Sequence, residues 1–353
     1  MGKCVHIGKK IIGKGYPTFI IAEMSGNHNM EYERAEELIR AAKRMGADAV
    51  KIQTYTPDTI TLNSNLPFFM TEEGGLWEGQ SLYELYEKAY TPWEWQPKLK
   101  RLADELEIVL FSSPFDISAV DFLEKMSVPA YKIASFEIND TQLIRKVAKT
   151  GKPILLSTGI ASIADINLAL SICKEEGNSQ VVLLKCTSAY PAPYEEMNLK
   201  MIPNMAETFN CVAGLSDHSL GDEVAISAVT LGANVIEKHF TLFRSDGGID
   251  ADFSMEEKEF AQMVQRIRNV ELALGKVDYS LTDLQKKEQR FRRSLFVSAD
   301  IKAGEKFTSD NVRSVRPGFG LSVEYLDRII GRRAKKDLKY ATPLKLEDVI
   351  WEE

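Results

Sequence analysis

"VIEKHFT", residues 235–241, decides how the chain folds and where it acts. Val235, Ile236 and Phe240 suit a buried strand, yet Glu237, Lys238 and His239 stand among them. Successive side chains on a strand point to opposite faces, so Glu237 and His239 share one face. Burying such groups is costly unless each is paired or bound to something. With "FIIAEM" (19–24), "AVKIQT" (49–54), "VLFSSP" (109–114), "AYKIAS" (130–135), "PILLSTG" (153–159), "VVLLKCTS" (181–188) and "VAGLSDH" (212–218), the stretch makes eight short apolar runs closed by polar residues.

Amphipathic helical patterns lie between them. "EYERAEELIRAAKRMG" keeps Ala35, Leu38, Ile39 and Ala42 on one face and stops at Gly46. "DISAVDFLEKM" opens on an Asp cap, and "DTQLIRKVAKTG" closes on glycine. Strands that alternate with helices pair in parallel, because parallel neighbours need a crossover. Eight such units are the count of an α/β fold of the (β/α)8 TIM-barrel type. A doubly wound sheet is the competing arrangement, but its Gly-rich first turn is absent. The reading is a barrel over residues 1–275, a linker over 276–292 and a small C-terminal domain over 293–353. From Phe291 onward the texture changes to short strands and turns. Residues 291–353 hold 13 Lys and Arg against 10 Asp and Glu, a net of +3, while the rest of the chain is acidic. Such a basic unit suits a cover over an anion; a solvated surface is the plainer alternative.

Composition excludes several classes. The chain has 353 residues, 44% hydrophobic and 27% charged, with a net charge of −7. That balance points away from nucleic acid and from anionic membranes. No apolar run approaches the roughly 20 residues that span a bilayer. The N-terminal "MGKCVHIGKKIIGKGYP" is basic without the apolar core of a signal peptide, and Gly2 lacks the Ser or Thr a myristoylation site requires. Cys4, Cys173, Cys186 and Cys211 are scattered, which indicates neither a zinc ribbon nor a disulfide frame. The cytoplasm is the expected location.

In a barrel the reactive groups project from the carboxyl ends of the strands. Here those ends carry Glu23, Lys51 with Gln53, Ser112 with Ser113, Lys132 with Ser135, Ser157, Lys185 with Ser188, Asp217 with His218, and Glu237 with His239. A single strand histidine is more often a hydrogen-bonded core residue. Two on neighbouring strand ends, His218 and His239, are a half-open ligand set for one divalent ion such as Mn2+, with Asp217 and Glu237 expected to orient the rings. Lys51, Lys132, Ser135, Ser157 and Ser188 suit a phosphate; internal salt bridges with Glu23 are the alternative.

The motif series "EMSGNHN", "ADAVKIQTY", "SSPFD", "YKIASFEIND", "LSTG", "KCTSAYPAPYEEMNL", "GLSDHS" and "EKHFT" resembles the sialic acid synthase family, and the tail resembles its antifreeze-like SAF domain. Lys185 before "CTS", the loop "RSDGGIDADFSMEEKEF" and "YTPWEW" resemble the branch of that family that makes pseudaminic acid. The resemblance implies a metal-dependent transferase, with Mn2+ or Mg2+, that joins phosphoenolpyruvate to an N-acetylated amino sugar. It implies that His218 and His239 hold the metal and that Lys51, Lys132, Ser135, Ser157 and Ser188 surround phosphoenolpyruvate. It places Glu23, Asp250 and Tyr190 at the reacting aldehyde, with Gln53 and Asp217 among the substrate contacts. Arg316, in "VRPGFG", would come from the SAF domain of a partner chain, which implies a domain-swapped homodimer. The alternative sugar is the manno-configured partner of an N-acetylneuraminate or legionaminate synthase.

Other features read more plainly. Trp93 and Trp95 are expected to form a packing corner before a helix. His28, in "GNHN", either contacts substrate or stabilises a turn. The long segment "GGLWEGQSLYELYEKAY" is placed to cover the site. Two other activities compete: ice binding by the tail, which its Lys and Arg content disfavours, and an aldolase using pyruvate itself.

Overall fold

The computed structural model describes residues 3–71 and 77–351. A hairpin, β1 (Cys4–Ile7) and β2 (Lys10–Gly13), precedes eight parallel strands. These are β3 (Phe19–Glu23), β4 (Ala49–Thr54), β5 (Val109–Pro114), β6 (Tyr131–Ile133), β7 (Ile154–Ser157), β8 (Val181–Cys186), β9 (Val212–Asp217) and β10 (Val235–Thr241). Each pairs with the next, and β10 pairs with both β9 and β3, which closes a TIM barrel.

Strand parity sorts the side chains into layers. Phe19, Ile21, Ala49, Phe111, Leu155, Val182, Leu184, Val212 and Val235 pack together inside the lower barrel. Val5, Ile7 and Ile12 of the hairpin join that cluster and plug its base. Two residues further along the same faces the polar set begins: Glu23, Lys51, Ser113, Lys132, Ser157, Cys186, Ser216, Glu237 and His239 are all buried. The other parity, Ile20, Ala22, Val50, Ile52, Leu110 and Ile236, packs against the helices. The barrel is thus apolar below and polar above, and the site is the upper layer.

The helices form for local reasons. Tyr32–Arg44 buries Ala35, Leu38, Ile39, Ala41 and Ala42, places Glu33 in its first turn and Lys43 and Arg44 in its last, as the helix dipole favours. It ends before Gly46, whose φ of +82° is a left-handed conformation that glycine adopts without strain. Asp116 accepts from the Ser118 and Ala119 amides, and Asp140 from those of Gln142 and Leu143.

A second compact unit spans Lys276–Glu353. Its strands Ser294–Val297 and Val312–Val315 pair antiparallel, as do Arg333–Ala334 and Val349–Ile350. Leu295, Val297, Ile301, Phe307, Val312, Ile329, Leu338 and Leu344 are its own core. Among the described residues, no helix is long and apolar enough to cross a membrane. Gly2, and residues 72–76 of the long segment expected to cover the site, lie outside the described residues; that segment continues into the helix Leu82–Ala89.

Candidate active site

Register brings the charged residues of β3, β4, β6 and β10 together. Glu23 stands opposite Lys51 on one side and His239 on the other. The Lys51 ammonium lies 3.0 Å from Glu23 Oε2, 3.3 Å from Glu237 Oε1 and 3.3 Å from Ser113 Oγ. Lys132 reaches Glu237 Oε1 at 3.5 Å, and Ser216 donates to the same oxygen. Gln53 donates to Glu23 Oε1 and to Ser25, each at 3.0 Å. Glu23 Oε2 is nonetheless without an aligned hydrogen bond, and so is Glu237 Oε2.

The two carboxyls have opposite protonation tendencies. Burial raises the pKa of Glu23, with Lys51 opposing and Glu237 adding. Burial acts the same way on Glu237, but Lys132 and Lys51 outweigh it and hold that carboxyl below its ordinary value. Burial disfavours the charge on Lys51, yet its two carboxylate neighbours raise its pKa. Lys132 is lowered, burial prevailing over Glu237.

Beside this network sits a cradle of hydroxyls. Ser188 donates to Ser135 at 2.9 Å, and the Ile160 amide donates to Ser135 at 3.1 Å. Ser157 is buried with no partner for its Oγ. Gly159 completes the cradle: a Cβ there would collide with Ser188 Oγ and lie 2.7 Å from Ser135 Oγ. Lysine ammoniums and serine hydroxyls buried at neighbouring strand ends are groups of the kind that hold an anion.

The histidines meet at the mouth, with ring centres 5.4 Å apart. His218 Nδ1 faces the Thr187 carbonyl at 3.0 Å. A carbonyl only accepts, so Nδ1 donates and the neutral ring keeps its lone pair on Nε2. Burial works against a charge on His218, but Cys186 and the Thr187 carbonyl raise its pKa. Burial, then the charges of His218 and Lys51, hold His239 well below the usual imidazole range. His239 Nδ1 is buried without a hydrogen bond, 3.6 Å from Asp250 Oδ2. Burial raises Asp250 in turn. Two neutral-capable imidazoles, one with an orphaned buried nitrogen, fit a divalent ion with open positions. No cluster of three or more His, Cys, Asp or Glu forms a closed metal set among the described residues.

Several expected groups lie elsewhere. Asp217 is on the outer face of β9, where it accepts from Lys238 at 2.7 Å and from Ser219. It hydrogen-bonds neither imidazole, because the parity that points Ser216 inward points Asp217 outward. Thr187 orients the His218 ring, Asp250 lies near His239 Nδ1 without a hydrogen bond to it, and Glu237 serves the lysines. Ser112 bonds Thr54 and Ile52 on the outside of β5. Lys185 bonds the Cys186 carbonyl and Thr187 rather than joining the cradle. His28 is a turn residue, accepting from the Met30 amide and contacting Thr91 and Trp95. Trp93 packs on Phe122 and donates to Tyr55. Arg316 belongs to the second unit, exposed just past the strand Val312–Val315.

Three residues at the mouth escaped the sequence reading. Cys186 Sγ is 3.9 Å from His218 Nδ1; its inward parity after Val182 and Leu184 was the available signal. Phe253 packs against both His239 and Tyr190. Trp77 packs on Tyr190, whose ring lies 4.5 Å from that of His218.

Residues 38–279 match the NeuB family and residues 292–350 the SAF domain. The chain belongs to the NeuB family. It is 48% identical over 330 residues to the pseudaminic acid synthase of Campylobacter jejuni, covering 94% of this chain and 96% of that one. It is 35% identical to the N,N'-diacetyllegionaminic acid synthase of Legionella pneumophila, covering 97% of each. The crystal structure of the N-acetylneuraminic acid synthetase of Leptospira borgpetersenii, in complex with citrate, superposes with a TM-score of 0.73 at 31% identity, over 82% of this chain and 95% of that one.

Proposed function

We propose that this chain is a pseudaminic acid synthase, condensing phosphoenolpyruvate with 2,4-diacetamido-2,4,6-trideoxy-L-altrose to give pseudaminic acid and inorganic phosphate. One observation carries the reading: a buried anion cradle and a pair of imidazoles share the mouth of a single barrel. The choice of sugar is supported by the greater identity to the pseudaminic than to the legionaminic acid synthase.

The chain's residues divide the task. Lys51, Lys132, Ser135, Ser157 and Ser188 hold the phosphate and carboxylate of phosphoenolpyruvate. Tyr190, Asp250 and Gln53 position the amino sugar, so that carbon 3 of the enol phosphate bonds to its aldehyde carbon. Water then adds at carbon 2, and phosphate leaves by C–O cleavage. Glu23 Oε2, free of an aligned donor, is placed to accept a hydrogen bond from that water. Fixing two substrates in register can supply about 7–11 kcal/mol of the barrier. His218 and His239 would hold Mn2+ or Mg2+, which when bound acts as a Lewis acid toward the aldehyde oxygen. The working form is a cytoplasmic homodimer in which Arg316 of one chain completes the site of the other. Exposed apolar residues at the carboxyl ends of the strands, Phe136, Ile160, Ile163 and Phe243, support a covered face.

The deciding experiment offers phosphoenolpyruvate with N-acetylmannosamine, the manno-configured diacetamido sugar and the altrose analogue. Phosphate release driven by the altrose analogue is expected. Faster release with either manno sugar names the neuraminate or legionaminate activity instead, and consumption of free pyruvate names an aldolase. His218→Ala should lose metal-dependent turnover with circular dichroism unchanged; retained turnover removes the ligand assignment.

A further inference from the structure

The mouth has an aromatic side, to which Phe253 and Trp77 add rings that bond formation does not require. Tyr190 is 5.3 Å from Phe253, and Phe253 is 5.0 Å from His239, ring centre to ring centre. Trp77 extends this wall, its ring centre 6.0 Å from that of Tyr190. Its indole N–H donates to the carbonyl of Ile249 at 3.0 Å, the residue immediately before Asp250. Trp77 thus touches Tyr190 and the residue next to Asp250, Tyr190 and Asp250 being two of the three side chains assigned to the sugar. Its single polar atom is spent on Ile249. What remains is a half-buried apolar ring face beside Tyr190.

An aromatic face anchored in this way offers contact area at little conformational cost, and it favours C–H groups over hydroxyls that would lose water. We propose that Trp77 is a specificity-determining residue: its indole is the surface against which the deoxygenated carbon of the amino sugar is read. It would favour a 6-deoxy sugar over its 6-hydroxy counterpart. This inference rests on the reading that the substrate is a trideoxy diacetamido sugar.

The test compares full-length wild type, Trp77→Phe, Trp77→Ala and Trp77→Gln. The altrose substrate and its 6-hydroxy counterpart are each assayed with phosphoenolpyruvate by phosphate release. Wild type is expected to prefer the 6-deoxy sugar by ~10-fold or more in kcat/KM, the scale of discrimination an apolar contact supplies. In Trp77→Ala and Trp77→Gln the KM for that sugar should rise by ~10-fold or more and the preference fall toward unity, with the KM for phosphoenolpyruvate within ~3-fold of wild type. Trp77→Phe should keep most of the preference. A preference unchanged in any folded Ala or Gln variant overturns the role of Trp77 alone. Wild-type enzyme that releases no phosphate with any 6-deoxy sugar overturns the substrate reading as well.

Discussion

Gly159 shows how much a single missing side chain decides. The backbone runs so close to Ser135 and Ser188 that a methyl group would displace their hydroxyls. Gly159→Ala should therefore raise the KM for phosphoenolpyruvate ~10-fold or more, the effect of losing one or two well-made hydrogen bonds, and leave the thermal transition nearly unmoved. An unchanged KM would mean the hydroxyl pair does not hold the anion. His28 illustrates the opposite case, a residue that resembles a ligand and is structural. Burial, then Arg34, lowers its pKa from 6.5 to about 4. The unfolded chain therefore takes up the proton first as the pH falls. The contribution of neutral His28 is full above about pH 6.5 and is lost toward pH 4. Between pH 7.5 and 5 the wild type should lose about 2 kcal/mol more than His28→Gln, read from urea midpoints at each pH. Equal losses in the two proteins would show that His28 is not held neutral.

At the scale of elements, β10 explains why charged residues stand within an apolar run. Its two faces meet different surroundings, and each polar residue is answered on its own face. Glu237 and His239 point into the mouth, while Lys238 points outward to Asp217 at 2.7 Å and to the Ser219 carbonyl at 2.7 Å. Lys238→Met leaves a buried carboxylate without its cation and should destabilise the barrel by about 3–5 kcal/mol. Adding Asp217→Asn should restore a good part of that loss. If the double variant is as unstable as the single one, the pair is not the cause. All eight barrel strands were legible in the sequence because short apolar runs bounded by helical patterns leave few other arrangements. Lys51, Lys132, Ser135, Ser157 and Ser188 stand out in the sequence because Lys and Ser coincide at strand ends. Parity misled where two polar residues adjoin: of Ser112 and Ser113, or of Ser216 and Asp217, only the register with the neighbouring strands tells which faces inward. The hairpin plug was missed because Val5, Ile7 and Ile12 sit in a basic stretch whose apolar face needs the barrel base to reveal it. Trp77 and Phe253 were missed because they reach the mouth from connections, where no periodicity predicts direction.

At the scale of the whole molecule, the two units have separate cores, which permits each to act on a different neighbour. If Arg316 serves the barrel of a partner chain, catalytic and covering functions can be supplied by different copies. Full-length His218→Ala has a defective barrel and an intact SAF domain, and Arg316→Ala the reverse. Each alone should be nearly inactive. Co-refolded at equal amounts, half of the dimers are mixed and one of the two sites in each mixed dimer is intact. Turnover should then recover to about a quarter of wild type, as expected for a symmetric exchange of domains between two copies. If the SAF domain serves its own barrel, every site in the mixture carries one defect and no activity returns. The recovered activity should also fall on dilution if mixed dimers dissociate, because the intact site needs both chains.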